Sequence, residues 1–464
     1  MAYSSFKQSG LDGFKSKKIK RILGNPPQSP TGVSAVDIGT NREYNNGAAS
    51  VSFIPPTEGE VATSYRVTST PGSIVATGTT SPIVITGLQS GVQYTFIVNS
   101  LNSVGASDDS APSNSITATT VPQAPTITSV THGFEKVTVA FTSNASGGKS
   151  ISSYTVTPNS GSSQSAVSSP INITSLTAGT AYTFTATATN ANGVSAQSSV
   201  SNSSTPFTAS GGSITTYTGY RVHSFTSTQS FVVSGNTAPV NYLVVAGGGG
   251  GGRGCCGGGY GAGGGGGGGF LSSTTSISIG THTITVGGGG SGYTGGTGSN
   301  GANSSIGSIV ASTGGGGGGR GGAVGSAGGS GGGSGQYSSA GAGVAGQGNN
   351  GGTSCCAESA GGGGGAALAG GSPKGGDGSP NSLLNGSPIY YSGGGGGGDH
   401  AYRDNTGGLG GGGHGGWGTY GNGRNSISAG GANTGGGGGG AIEENNDHNG
   451  ENGGSGIVII RYAT

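Results

Sequence analysis

Few side chains in this chain have the types and spacing that chemistry needs. Gly328–Gly332 (GGSGG) has the G-x-S-x-G spacing that exposes a serine nucleophile when it sits on a strand-to-helix turn. Gly147-Gly-Lys-Ser150 has the ending of a phosphate-cradling loop, and G-x-G-x-x-G spacings occur many times. None stands in its required context. With 112 glycines such spacings arise by chance, no helical pattern follows Ser330, and residue 143 is Ser where the phosphate loop needs Gly. The expectation is a non-enzymatic chain with no catalytic residue and no cofactor.

Metal and thiol chemistry have equally thin support. Cys255–Cys256 and Cys355–Cys356 are vicinal pairs a hundred residues apart. A zinc site spaces its cysteines C-x₂₋₄-C, so adjacent ones fit it poorly. Disulfides between loops and free thiols both stand as readings, and four cysteines allow three pairings. Two acidic clusters, Asp399–Asp404 and Glu443–Asp447, hold the hard oxygens that Ca²⁺ takes. Both follow glycine runs, and solvated loops are the preferred reading, so no metal site is expected.

Charge is sparse, at 7% of residues with a net charge of +1. That balance argues against a nucleic-acid footprint. No apolar run is long enough for a membrane span, so no membrane insertion is expected. Six of the seventeen basic side chains lie in residues 1–25, among them Lys15, Lys17, Lys18, Lys20 and Arg21. This segment lacks the apolar stretch of a signal peptide. It reads either as a solvated tail or as an anchor ordering against an acidic partner.

The elements that must position any site fall into two compositional halves. Of the 112 glycines, 94 follow residue 206. Residues 26–206 are rich in Ser, Thr and Val and repeat with a period near 88. Leu88 and Tyr94 recur as Leu176 and Tyr182, Ser64–Tyr65 as Ser153–Tyr154, and Asn102–Gly105 as Asn190–Gly193. Val92–Val98 and Ala181–Thr187 alternate with strand period. Short strands with turn signals at this spacing predict β-sandwiches. The pattern I-T-G-L-x₅-Y at Ile85–Tyr94 and I-T-S-L-x₅-Y at Ile173–Tyr182 resembles the tyrosine corner of fibronectin type III domains. The resemblance implies two such domains, 26–120 and 121–206, serving as a stalk. Phe53 and Phe141 are the candidates for the family's missing core Trp.

Beyond residue 206 the chain has uninterrupted runs such as Gly247–Gly252, Gly263–Gly269, Gly314–Gly319, Gly393–Gly398 and Gly435–Gly440. A threefold polyproline-II-like helix has no internal hydrogen bonds. Packed side by side, such helices can pair their outward N–H and C=O groups, and only glycine lets the backbones approach on every side. Strand-like segments bracket the runs: Tyr220–Phe225, Ser230–Val233, Asn241–Ala246, Ser276–Val286, Ser304–Ser312 and Gly456–Tyr462. The reading is a small β base that glycine helices leave and re-enter. The fold class expected is all-β: two β-sandwiches, then a polyglycine-II helix sandwich over residues 207–464.

The segments Tyr242–Gly252, Thr281–Gly290, Ser312–Gly319 and Gly453–Tyr462 are similar to those of glycine-rich domains in phage tail-fibre adhesins. The extracellular glycine-rich domain of anaplastic lymphoma kinase shares that architecture, so fold does not decide function. The resemblance implies a virion protein, a tail-fibre or receptor-binding adhesin released by lysis, with a capsid decoration protein or a filament subunit as alternatives. Its implied partners are other virion proteins at the N-terminus and a host glycan or outer-membrane protein at the glycine-rich head, and a homo-oligomer is compatible with it. Runs leaving the base must turn at the far end, so Arg253–Ala262, Asp399–Leu409 and Ala441–Asn452 are expected to be distal. They carry the receptor-binding candidates Arg253, Tyr260, His400, Tyr402, Arg403, Asp404, Glu443, Glu444 and His448.

Overall fold

A glycine run has no side chains to bury, so its place in a fold depends on where its backbone groups pair. The computed structural model describes residues 24–254, 260–292, 295–355, 358–400, 404–418, 427–442 and 449–464. Among these the regular elements are all β-strands, so the fold is all-β. The described chain forms two units. The first takes in residues up to Thr131 with Val137–Thr174 and Ala181–Ser204. The second takes in His132–Lys136, Ser175–Thr180 and Thr205–Thr464.

The first unit holds two sandwiches of one connectivity. In the first, Thr31–Asp37, Gly47–Ile54 and Ile83–Leu88 make one sheet, and Val75–Gly78, Ser64–Thr70, Gln93–Leu101 and Ile116–Thr117 make the other. Thr126–Gly133, Lys136–Thr142 and Ile171–Ile173 repeat the first sheet. Gln164–Ala166, Ile151–Pro158, Phe184–Asn190 and Gly193–Val194 repeat the second. The repeat extends to atoms. Phe53 packs on Tyr65 at 4.7 Å between centroids, and Phe141 on Tyr154 at 4.9 Å. The buried Tyr94 hydroxyl accepts the Gln89 N–H at 3.0 Å, as a tyrosine corner requires. One strand is shorter than its pattern suggests. It begins at Phe184, and Tyr182 makes an isolated bridge to Ser204.

After each long strand the chain returns with serine at every third position. Ser107, Ser110 and Ser113 donate backbone N–H groups to Ser100, Val98 and Phe96, and their hydroxyls accept the N–H groups of those residues. Ser195, Ser198 and Ser201 do the same for Ala188, Ala186 and Phe184. A serine ladder of period three thus covers an edge that would otherwise be open to pairing.

The second unit has two five-stranded sheets. One is ordered Ser213–Tyr217, Tyr220–Phe225, Ile457–Ala463, Ala238–Val245, Phe270–Ile277. The other is ordered Thr208–Ser210, Gln229–Ser234, Gly280–Thr285, Ser304–Ile306, Val310–Ser312. The bracketing strands pair as their apolar sequences suggest, with Tyr242 opposite Ile460 and Val245 opposite Ile457. Between the sheets lies an apolar core that includes Phe207, Phe225, Phe231, Ile284 and Ile460. Ser276–Val286 is not one strand. It breaks at Ser278-Ile279, and its halves join different sheets. Ser304–Ser312 is likewise a hairpin. The short hairpin Ser379–Asn381/Ile389–Tyr391 comes from the glycine-rich sequence and packs Leu383 and Tyr391 against Leu243, Val245 and Ile459.

From this base rises a lattice. Gly263–Gly269 lies near its centre. Gly263, Gly266 and Gly269 donate to Gly319, Gly316 and Thr313; Gly264 and Gly267 to Gly361 and Gly364; Gly265 and Gly268 to Gly438 and Gly435. Its carbonyls accept from three other neighbours: 246–252, 330–333 and 395–398. Six neighbours served in a cycle of three residues define threefold helices side by side. A Cβ added to Gly265 would fall on the carbonyl oxygen of Gly249, and one on Gly266 on that of Ser330. Gly435 departs from the expected extended helix. Its φ of +70° turns the chain into its run, and a Cβ there would meet the side chain of Val245.

Edge helices obey a looser rule. In Gly298–Asn303, Gly298 and Gly301 donate to Gly318 and Gly315, and Ser299 and Ala302 donate to Ser291 and Gly288. Asn303 and Asn300, three residues apart, accept the Gly314 and Gly317 N–H groups on their side-chain oxygens, both at 2.9 Å. An asparagine side chain here replaces a neighbouring backbone.

The two chemical motifs lie in different units. Ser330 is fully buried in a lattice helix, its N–H on Gly267, with no strand-to-helix turn around it. Gly147 and Gly148 form a turn with φ of +70° and +83°, where Gly147 accepts the Thr120 N–H.

Two expectations follow. Gly316→Val should destabilise the second unit by more than about 3 kcal/mol, because its Cβ would fall on the Ser326 carbonyl. Gly288→Ala, where a Cβ meets nothing, should stay within about 0.5 kcal/mol. Denaturant melts of the two variants check the contrast. The second expectation concerns His223, fully buried in the base. Its Nδ1–H donates to the Gly211 carbonyl at 2.7 Å, so Nε2 accepts from the Tyr462 hydroxyl at 2.8 Å. Burial, with the charge of Arg221 adding to it, pushes its pKa below 6.5, although the Gly211 bond opposes this. The unfolded chain therefore binds the proton first, and stability present above pH 6.5 is lost as pH falls below it. Melts of the wild type should show that loss, and His223→Gln, less stable at neutral pH, should show a flatter dependence.

Candidate functional site

The direction of each lattice helix follows from its bonds. Ala246 donates to Gly269, Gly249 to Gly266 and Gly252 to Gly263, so the first run leaves the base and the second returns antiparallel to it. The alternation continues. Gly314–Gly319, Gly393–Gly398 and Gly435–Gly440 run outward, while Gly361–Gly365 and the segment 450–456 run inward. Every outward helix must turn at the same end. Arg253, Tyr260, His400 and Asp404 consequently meet at one pole, as the alternation predicts.

Two of the expected loops are shorter than read. Asn405–Leu409 is a returning lattice helix: Asn405 accepts from Gly415, and Leu409 from Gly378 near the base. Glu451 and Asn452 also lie in the lattice, accepting from Gly251 and Gly430. The expected distal stretches therefore end before Asn405 and before Glu451. Tyr402, Arg403, Glu443, Glu444, His448, Cys255, Cys256 and Cys356 lie outside the described residues, as do Lys15, Lys17, Lys18, Lys20 and Arg21. Cys355 is exposed.

Three groups of side chains occupy the pole. Tyr260 meets Tyr337 edge to face at 6.1 Å. Tyr337 is 67% exposed yet holds a φ of +61°, a conformation that costs a bulky residue about 1–3 kcal/mol. A second group gathers around Asp399, which is fully buried and bridges backbone to Ser359 and Trp417, while His400 donates its N–H to Glu358. The first acidic cluster is thus not wholly a solvated loop, since its leading carboxylate is interior. The third group is Asp404. The Thr406 hydroxyl and N–H, with Lys374 at 3.5 Å, hold its carboxyl below its ordinary range. Both ion-pair partners are more than half exposed, so the pair orients side chains and adds little stability. Among the described residues no group of three His, Cys, Asp or Glu is placed to hold a metal ion.

Sequence reasoning missed Tyr337, Trp417, Glu358 and Lys374. The same rule would have found them, since each lies where an outward segment ends. The segments before Tyr337, Glu358 and Lys374 contain too few consecutive glycines to be recognised as runs, whereas Trp417 follows the run Gly410–Gly413.

The glycine-rich domain family matches residues 223–463, and the fibronectin type III domain matches residues 29–116. Among solved structures, the FN1–FN3 domains of chicken CNTN1 are similar at 13% identity over 56% of this chain and 93% of that one. The TM-score is 0.23, and no argument rests on that likeness. No curated protein matches.

Because Tyr337 stores backbone strain, Tyr337→Gly should melt at or above the wild-type temperature, by up to about 1 kcal/mol in stability. A clear drop in calorimetry would mean that the contact with Tyr260 outweighs the backbone cost.

Proposed function

The chain belongs to the glycine-rich domain family, and from that premise we propose that it is a non-enzymatic attachment protein of a phage virion, a tail-fibre or receptor-binding adhesin. In this reading residues 1–25 anchor it to other virion proteins through Lys15, Lys17, Lys18, Lys20 and Arg21. Residues 26–120 and 121–206 are tandem fibronectin type III spacers, and residues 207–464 present the binding surface. The ligand is a host-surface glycan or an outer-membrane protein.

The observation that carries this reading is the alternation of the lattice helices. It gathers turns at one pole of a hydrogen-bonded frame. Binding residues commonly sit on loops held by a rigid scaffold, and aromatic and Arg side chains are favoured interface anchors. The pole offers Tyr260, Tyr337, Trp417 and Arg253 in that role. The internal repeat, with its paired Phe–Tyr contacts and serine ladders, supports the tandem assignment. Buried Ser330 and the turn at Gly147 give a nucleophile or phosphate role no support.

Exchanging residues 401–404 and 443–449 for Gly/Ser segments of equal length, which spares the buried Asp399, Ala441 and Ile442, should abolish adsorption of particles to host cells while the melting temperature holds. Undiminished adsorption would remove the distal pole as the binding surface. Electron microscopy of particles labelled at the N-terminus should place the label on the tail. A label on the capsid would favour the decoration-protein alternative.

A further inference from the structure

Two features that folding alone does not call for sit side by side at the pole. Gln336 is fully buried, and neither atom of its side-chain amide has a hydrogen-bond partner. A buried amide left so destabilises the fold, whereas an apolar side chain of like shape would not. The next residue, Tyr337, holds its left-handed φ of +61° while its ring stays largely exposed. An orphaned polar group and a strained backbone at consecutive residues point to function rather than stability.

Backbone bonds bring three further stretches to this place. The runs Gly247–Gly252 and Gly314–Gly319 each end in an arginine, Arg253 and Arg320. The Gly321 N–H donates to the Arg253 carbonyl at 3.2 Å, which ties those two ends together. Gly335 donates to Ala323 at 2.9 Å, and Gln336 donates to Gly261 at 3.3 Å, beside Tyr260. The Tyr260 ring meets that of Tyr337 edge to face. Arg320 is exposed, and among the described residues it enters no ion pair.

Resting on the reading of the pole as the binding surface, we propose that Gln336, Tyr337, Tyr260, Arg253 and Arg320 form a subsite for an anionic saccharide, a sugar carrying a phosphate or carboxylate. The Gln336 amide offers two donors and an acceptor, and a sugar's hydroxyls, each donor and acceptor, satisfy both ends of it. An ionised acidic side chain only accepts, and would leave the amide oxygen unpartnered. The exposed Tyr337 ring offers an apolar face to a sugar's C–H groups, with Tyr260 at its side. The guanidinium groups present paired donors that match phosphate or carboxylate. A net charge of +1 gives the chain no long-range field to gather a polyanion, so these charges act locally on one anionic group. Gln336 has no solvent exposure. The ligand reaches its amide when the turn at Gln336-Tyr337 yields, and release of the strain at Tyr337 offsets part of that step.

NMR titrations and saturation transfer on the full chain test this. The probes are the 6-phosphates of glucose, galactose and mannose, the corresponding uronic acids, the neutral parent sugars, inorganic phosphate and an aspartate peptide. At least one anionic sugar should shift the Gln336 side-chain amide and the Tyr337 ring. It should bind at least about tenfold more tightly than its neutral parent, inorganic phosphate or the peptide. Gln336→Leu should melt at or above the wild-type temperature yet bind that sugar about tenfold more weakly. Arg320→Gln should erase the preference for the anionic sugar over its neutral parent. Binding by no sugar of the panel, or binding equalled by inorganic phosphate or by the peptide, would overturn the subsite. So would a Gln336→Leu variant that binds as wild type does, or one that melts well below it, because the amide would then serve the fold. Adsorption after the exchange of 401–404 and 443–449 is read on other residues, so the subsite can fail while the pole stands.

Discussion

The second unit depends on one interaction, the lateral backbone hydrogen bond between threefold helices. A residue in such a helix has no bond to its own helix to fall back on. At Gly263–Gly269 every N–H reaches a different neighbour from the one before it, in a cycle of three. Fixing a residue costs about 1–2 kcal/mol of backbone freedom, and one hydrogen bond returns roughly 0.5–1.5 kcal/mol net. A single pair of these helices would therefore not hold. A helix with six neighbours can, and the apolar base fixes the ends from which the helices start.

That constraint explains the placement of side chains. In the helix Gly263–Gly268 a Cβ at any position would land on a carbonyl of a neighbour, so large side chains go to lattice edges and to the turns beyond the helices, and the interior admits side chains as small as that of Ser330. Edge positions take residues that can imitate a backbone, as Asn300 and Asn303 do. The turns take everything else, and the alternation of direction sorts them between the base and the pole. That turns hold Arg253, Tyr260, Tyr337 and Trp417 follows from the sterics of the lattice before any selection for binding. The serine ladders use the same period of three in a different setting, where a hydroxyl every third residue covers a strand edge.

Much of this was legible in the sequence. Central helices announce themselves because all of their positions must be glycine, and the strands Ala238–Val245 and Ile457–Ala463 because each is apolar on both faces. Edge helices were hidden, because glycine is needed only at positions such as Gly298 and Gly301, and the spacing G-x-x-G disappears among Ser and Asn. For that reason Asn405–Leu409 reads as loop but forms a helix. The turn that splits Phe270–Ile277 from Gly280–Thr285 was obscured by β-branched residues on both sides. At the pole, the positions of Arg253, Tyr260, His400 and Asp404 followed from the alternation, but the burial of Asp399 did not. It depends on Ser359 and Trp417, which are distant in sequence.

Scalar couplings transmitted through hydrogen bonds would test the lattice most directly in isotope-labelled protein. The account predicts couplings from the amide nitrogens of Gly264, Gly265 and Gly266 to the carbonyl carbons of Gly361, Gly438 and Gly316 respectively, three consecutive residues bonded to three separate runs. Couplings from all three nitrogens into a single partner segment would mean an ordinary strand pairing and would contradict it. So would the absence of any coupling, with amides that exchange as fast as in an unfolded chain.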